Sequence, residues 1–213
     1  MKCDKQHMLL YAVTDRTWVG NQTLYQQVEA ALKGGVTCVQ LREKKPEATV
    51  FLQEAEEICA LCRQYNVPFI VNDHVDIALA CGADGIHVGQ SDMAAGDVRR
   101  RIGKEMLLGV SVHTVEEARR AVQEGADYLG LGAVFPTSTK SDVDQMSSEI
   151  LQAICNAVDL PVVAIGGITP DNLLKLSGSG VDGVALVSAI FAAKDIEETC
   201  RKLRALSEKM VNP

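Results

Sequence analysis

The stretch ALACGADGIHVGQSD, residues 78–92, holds a helix end, a glycine, an apolar strand and a polar strand exit in one short run. Gly82 suits the left-handed position that closes a helix. DGIHV then reads as a buried strand, and Gly89-Gln90-Ser91-Asp92 as the loop that leaves it. The same order recurs in ALKGGVTCV (31–39), AVQEGADYL (121–129) and SGSGVDGV (177–184), where Gly34, Gly125 and Gly180 are expected in the role of Gly82. A unit that repeats as helix, glycine and strand is one supersecondary element used several times.

Working outward, eight such strand runs appear: MLLYAV, TCVQL, PFIVN, DGIHV, LLGVSV, DYLGLGAV, PVVAIGG and DGVALVS. Between them lie helix-like stretches, among them LYQQVEAALKGG, ATVFLQEAEEICALCRQY, TVEEARRAVQEG and DNLLKLSGSG. Strands alternating with amphipathic helices imply parallel βαβ units. The strands are nearly continuously apolar, as expected for a parallel sheet covered on both faces. Thr114 with Glu117 reads as a capping box, and Thr169-Pro170 as a capped helix start. Eight units predict a single α/β domain over residues 1–213, a (β/α)₈ TIM barrel. The rival, an open doubly wound sheet, would carry GxGxxG after its first strand, where this chain has TDRTWVGNQ.

Composition narrows the function classes. With 213 residues the chain can bury a full core without disulfides. A net charge of −7 argues against a general nucleic-acid binder, which would show a basic face. No apolar run is long enough to cross a bilayer, and MKCDKQHMLLYAV lacks the apolar region of a signal peptide, so a cytoplasmic protein is expected. Seven cysteines form no zinc-ribbon pattern. The lone CxxC, Cys59 and Cys62, lies in a helical segment and reads as ordinary buried thiols.

In a barrel the chemistry sits where strands end and their loops begin. After the second strand come Gln40-Leu41-Arg42-Glu43-Lys44; Gln40 and Arg42 alternate with Leu41 and are expected to face the barrel mouth. Arg42 as a fork and Lys44 as a point charge suit phosphate. Asn72-Asp73-His74 and Gln90-Ser91-Asp92 leave neighbouring strands. Asp73 and Asp92 could each be a helix cap; as a pair near cations and phosphate they read better as Mg²⁺ ligands. Ser111 is expected in the mouth, while His113 stands as readily for structure as for function. Thr137, Ser138, Thr139 and Lys140 form an anion clamp. Gly166, Gly167, Val187 and Ser188 follow strands seven and eight, the usual barrel phosphate site. Two anion sites on one face suggest group transfer between two phosphorylated molecules.

The ordered set QLREK, VNDHVDIAL, GADGIHVGQSD, GVSVHT, VFPTSTK, AIGGIT and VALVSAI, spread over residues 11–191, closely resembles the thiamine phosphate synthase family. The resemblance implies a transferase that joins a pyrimidine diphosphate to a thiazole phosphate and releases pyrophosphate. It implies that Gln40, Leu41, Arg42, Glu43, Lys44, Asn72, Ser111 and Lys140 contact the pyrimidine diphosphate. Arg42, Lys44, Ser111 and Lys140 would assist its departure, without a protein nucleophile. It further implies one Mg²⁺ per subunit on Asp73 and Asp92. The thiazole phosphate would rest on Thr137, Ser138, Thr139, Gly167, Val187 and Ser188. The middle residue of the TST segment is often basic in the family; Ser138 here implies one phosphate contact fewer. The resemblance leaves a homo-oligomer possible. Rival readings are a thiazole tautomerase on the same barrel, which needs no metal or pyrophosphate clamp, and a non-catalytic phosphate-ligand-binding barrel.

Overall fold

The strands β1 (Leu10–Val13), β2 (Cys38–Leu41), β3 (Phe69–Asn72), β4 (Gly85–Val88), β5 (Leu107–Val112), β6 (Tyr128–Leu131), β7 (Val162–Ile165) and β8 (Gly183–Leu186) all fall within the eight apolar runs. They close into a barrel in chain order, and every neighbouring pair is parallel. This is the (β/α)₈ barrel that the sequence predicts. The computed structural model describes residues 3–43, 47–137 and 145–212. The helices are α1 (Lys5–Met8), α2 (Leu24–Lys33), α3 (Ala48–Gln64), α4 (Val75–Cys81), α5 (Ala95–Ile102), α6 (Val115–Gln123), α7 (Ser148–Ala157), α8 (Ser188–Phe191) and α9 (Ile196–Val211).

Alternation along each strand sorts side chains into two layers. Leu10 and Ala12 of β1 point outward into the large apolar shell beneath the helices, as do Val39 and Leu41 of β2. Tyr11, Val13, Cys38, Ile70, Leu107, Tyr128, Val163 and Ala185 point inward and fill the barrel. Met8 of α1 joins this inner group. Cys59 and Cys62 are buried in the outer shell as free thiols. Burial pushes both thiols up, away from the thiolate that metal or redox chemistry uses.

Three local readings are corrected. The stretch 171–180 forms only a 3₁₀ turn, Leu173–Leu176, whose N-cap is Asn172 and not Thr169. The SGSG run disfavours helix continuation, and α9 packs over this turn in place of a longer helix. Gly34 is right-handed at φ −76°, and Gly35 takes the left-handed position at φ +92°. Gly34 is needed for another reason: a Cβ there would lie 2.4 Å from Cys200 Cβ, so it sets the approach of α2 to α9. Thr114 caps α6 through the Glu117 N–H, but the Glu117 carboxylate accepts from His113 N at 2.7 Å, so the reciprocal half of the box falls on the preceding residue.

The repeated tail of the GADG-like units has a structural purpose. The residue just before each even-numbered strand accepts an N–H from the start of the preceding odd strand. Thr37 takes Leu10 N (2.9 Å), Asp84 takes Phe69 N (2.9 Å), Asp127 takes Leu108 N (2.8 Å) and Asp182 takes Val162 N (2.9 Å). These four clasps close the N-terminal rim of the barrel. Asp127 also pairs with Arg99 at 2.5 Å, which ties in the carbonyls of Gly103, Met106 and Gly125. Asp127→Ala is expected to cost about 2–3 kcal/mol, the size of a lost charged hydrogen bond with its partner left half-buried. A thermal midpoint lowered by about 5–10 °C in calorimetry would match that figure; an unchanged midpoint would show the clasp to be idle.

Candidate active site

A cavity of about 340 Å³ opens at the C-terminal mouth of the barrel, within the range of small-molecule sites. Its two sides differ in chemistry. Gln40, Arg42, Asn72, Gln90, Asp92, Ser111 and His113, from the ends of β2 to β5, make one side. Gly132, Ala133, Thr137, Gly166, Gly167, Val187 and Ser188, from the loops after β6 to β8, make the other. Val13, Val163, Ile165 and Ala185 supply apolar wall, and Tyr11 and His87 line its depth.

Alternation delivers Gln40 and Arg42 to the mouth as expected, and it carries Leu41 away. The Leu41 side chain is fully buried in the outer shell, so it does not line the cavity. Glu43 is also absent from the lining; its carboxylate lies 2.7 Å from Arg16 Nε, which also pairs with Glu54. The Leu41 side chain thus packs in the outer shell and that of Glu43 braces the loop, whereas the resemblance places both residues among the substrate contacts. Arg42 is braced from β1: its N–H donates to Thr14 Oγ1 at 2.9 Å, and its guanidinium stands 3.8 Å from the Asp15 carboxylate. Lys44, Ser138, Thr139 and Lys140 lie outside the described residues.

Neither acid is a helix cap. The N-cap of α4 is His74 and that of α5 is Ala94. Asp73 sits at φ +61°, a conformation uncommon outside glycine, and its carboxylate accepts from Asn72 Nδ2 at 2.5 Å. Asp92 lines the cavity and accepts from Gly89 N at 2.8 Å; Asp73 does not line it but follows Asn72, which does. Among the described residues no three His, Cys, Asp or Glu side chains converge as a metal cage. Two hard carboxylates without soft donors suit a cation such as Mg²⁺, which keeps waters and takes substrate oxygens. Asp92, the carboxylate that lines the cavity, is a hard oxygen donor of the kind that ion takes.

The glycines after β7 earn their place by packing. A Cβ on Gly166 would lie 2.6 Å from Ala133 Cβ, and one on Gly167 2.3 Å from the Pro136 carbonyl oxygen. Val134 N and Phe135 N donate to Ile165 O and Gly166 O at 3.0 and 3.1 Å. The loops after β6 and β7 thus form one wall of bare backbone, joined by Val187 and Ser188 where α8 begins.

The depth of the cavity is what the sequence reading missed. Gln40 Nε2 donates to Tyr11 OH (2.9 Å), Tyr11 OH meets Tyr128 OH (2.8 Å), and Tyr128 OH meets His87 Nδ1 (3.1 Å). The other ring nitrogen, Nε2, meets Ser111 Oγ at 2.9 Å. Ser111, expected at the mouth, therefore has a histidine beside it. Burial pushes the Tyr11 and Tyr128 phenols well above their ordinary range and keeps them neutral. One signal was available: Gly109 lies in register between His87 and Tyr128, and a glycine inside a strand marks close approach.

The sequence model of the family described as thiamine monophosphate synthase matches residues 10–190. The chain belongs to that family. Within it, the thiamine-phosphate synthase of Clostridium tetani is 47% identical over 91% of this chain and 93% of its own length. That of Ruminiclostridium cellulolyticum is 50% identical over 91% and 92%. The solved thiamine phosphate pyrophosphorylase from Pyrococcus furiosus superposes with a TM-score of 0.90 at 37% identity, covering 97% of this chain and 98% of that one. A pyrophosphorylase from Bacteroides thetaiotaomicron, at 20% identity and a TM-score of 0.68, shares the fold. Membership of the thiamine monophosphate synthase family makes the chain an enzyme, a transferase of thiamine biosynthesis.

Proposed function

We propose that the enzyme condenses hydroxymethylpyrimidine diphosphate with hydroxyethylthiazole phosphate, or its carboxylated form, to give thiamine phosphate and pyrophosphate. The observation that carries this reading is the two-sided cavity. Arg42, Asn72, Asp92 and Ser111 offer cation, amide, carboxylate and hydroxyl to a diphosphate on one side. Thr137, Gly167, Val187 and Ser188 offer hydroxyls and open backbone to a monophosphate on the other.

The reaction breaks the bond between the pyrimidine methylene and the diphosphate oxygen, and its electron pair leaves with pyrophosphate. The pyrimidine amino group donates into the ring and supports the methylene cation. The thiazole nitrogen supplies the pair that forms the new bond. Arg42 stabilises charge growing on the leaving oxygens, Asn72 and Gln40 orient, and Ser111 hydrogen-bonds to the diphosphate. Val13, Val163 and Ile165 keep water from capturing the cation. Asp73 and Asp92 would hold Mg²⁺, which when bound neutralises diphosphate charge. Lys44 and Lys140 would add cations, and Ser138 and Thr139 hydroxyls, on the strength of the family resemblance.

No helix among the described residues is long and apolar enough to cross a membrane. Seven free thiols support a reducing compartment, the cytoplasm. Product mass from the two substrates, with and without Mg²⁺, tests the proposal. Thiamine phosphate formed only with Mg²⁺ is expected. Asp92→Asn should raise the Mg²⁺ needed for half-maximal rate by roughly tenfold, the usual minimum effect of disturbing a metal site. Thiazole isomerisation without pyrophosphate release would instead indicate a tautomerase.

A further inference from the structure

We infer that the buried chain Gln40–Tyr11–Tyr128–His87 fixes His87 as the tautomer protonated at Nε2, so that Ser111 serves as a hydrogen-bond donor and not as a nucleophile. A count of protons decides the tautomer. The Gln40 amide nitrogen can only donate, so Tyr11 oxygen accepts from it at 2.9 Å. Tyr11 and Tyr128 share one hydrogen bond of 2.8 Å, and each phenol has one proton to give.

If Tyr11 donates to Tyr128, then Tyr128 is free to donate to His87 Nδ1 at 3.1 Å. His87 must then carry its proton on Nε2 and donate it to Ser111 Oγ at 2.9 Å. Every proton in the chain has an oxygen or nitrogen to receive it. In the reverse direction Tyr11 would accept from both Gln40 and Tyr128. Its own proton would be left, in a site 1% exposed, with the sulfur of the neighbouring Cys38, a weak acceptor. A buried polar hydrogen without a good acceptor is costly, so the first direction wins.

The tautomer decides what Ser111 can do. A histidine that donates through Nε2 cannot take the serine proton, so the pair does not work as the Ser–His couple of acyl transfer. Ser111 accepts from His87 and turns its own O–H elsewhere, and the cavity lies on that side. On the proposed reaction, the group waiting there is the departing diphosphate. Tyr128 and Tyr11 are thus positioning residues that act through His87.

Nitrogen-15 NMR of the histidine side chains tests this, with a His87→Asn variant assigning the His87 signals. The wild-type protein should show His87 Nδ1 unprotonated and Nε2 protonated. Tyr128→Phe keeps the ring but removes the donor to Nδ1, so the two nitrogens should shift toward a mixture of tautomers. The kcat should fall roughly tenfold, the value of one neutral hydrogen bond, with KM for the thiazole phosphate unchanged. Tyr11→Phe should cost less, and the double variant should match Tyr128→Phe within about twofold, because the two act as one unit. A wild-type spectrum with Nδ1 protonated overturns the inference without recourse to any variant. So does a Tyr128→Phe protein that loses thermal stability yet keeps the wild-type tautomer and kcat. Absence of thiamine phosphate from an enzyme whose His87 is protonated at Nε2 would remove the reaction and uphold the tautomer.

Discussion

Replacing Arg42 with alanine is expected to lower kcat/KM by about a thousandfold, at the upper end of what one preorganised charge donor contributes. The guanidinium is only 16% exposed, so its charge acts on a bound anion with little screening by water. Its loss also takes one positive charge from beside the Asp15 carboxylate, 3.8 Å away, and leaves this rim more negative toward an incoming diphosphate. Arg42→Ala thus removes an attraction and adds a repulsion. Two further variants separate these effects. Arg42→Lys keeps the charge but loses the planar fork, and it should recover part of the rate. Arg42→Ala combined with Asp15→Asn should exceed Arg42→Ala alone, because the repulsion is gone. Arg119→Ala, on the exposed face of α6, is the control and should match the wild type. If steady-state kinetics placed Arg42→Ala within fivefold of the wild type, Arg42 would not be a diphosphate contact.

How much of this was legible from the residues follows from what periodicity can report. The barrel was legible because each of its strands is a short apolar run set between helical stretches, and GADGIHV and its repeats gave the unit. In a barrel, however, both faces of each strand are buried. Apolar character does not then tell the inside from the outside, and Tyr11 in β1 looks no different from Leu10. That is why the interior chain through Tyr11, Tyr128 and His87 escaped notice, whereas Arg42 and Asp92, polar residues at strand exits, did not. Leu41 and Glu43 joined the expected substrate contacts through the family resemblance and not through alternation. Motif membership names five consecutive residues, but alternation sends only Gln40 and Arg42 of the described ones to the cavity. The 3₁₀ turn at Leu173–Leu176 was missed because its leucines have helical spacing, and the packing of α9 that replaces a helix there is not local.

Gly109→Ala should be a severely damaging methyl group, because it enters the barrel interior against the buried proton chain. A Cβ at this position would lie 2.1 Å from Tyr128 Cζ, 2.3 Å from its hydroxyl oxygen and 2.5 Å from His87 Nδ1. None of these atoms can give way cheaply. Tyr128 is fully buried, and its ring lies against Tyr11 and His87 with centroids 6.0 and 5.5 Å apart. Moving it breaks the hydrogen bonds to both. Overpacking of a rigid core and the loss of two buried hydrogen bonds together come to roughly 3–5 kcal/mol. That is a large share of the stability of an ordinary domain, on the order of 5–15 kcal/mol. Denaturant unfolding should show a lower midpoint, and any folded fraction should turn over at least a hundredfold more slowly, since His87 and Ser111 are displaced together. Gly96→Ala makes the contrast. It lies in α5 at a helical angle, with its nearest neighbour 3.6 Å from the new Cβ, so it should stabilise by about 0.5–1 kcal/mol. A Gly109→Ala protein as stable as the wild type would mean that the barrel interior can yield. The hydrogen bonds that set His87 depend on Tyr128 holding its place, so such a result would show that this chain can be displaced without cost to the fold.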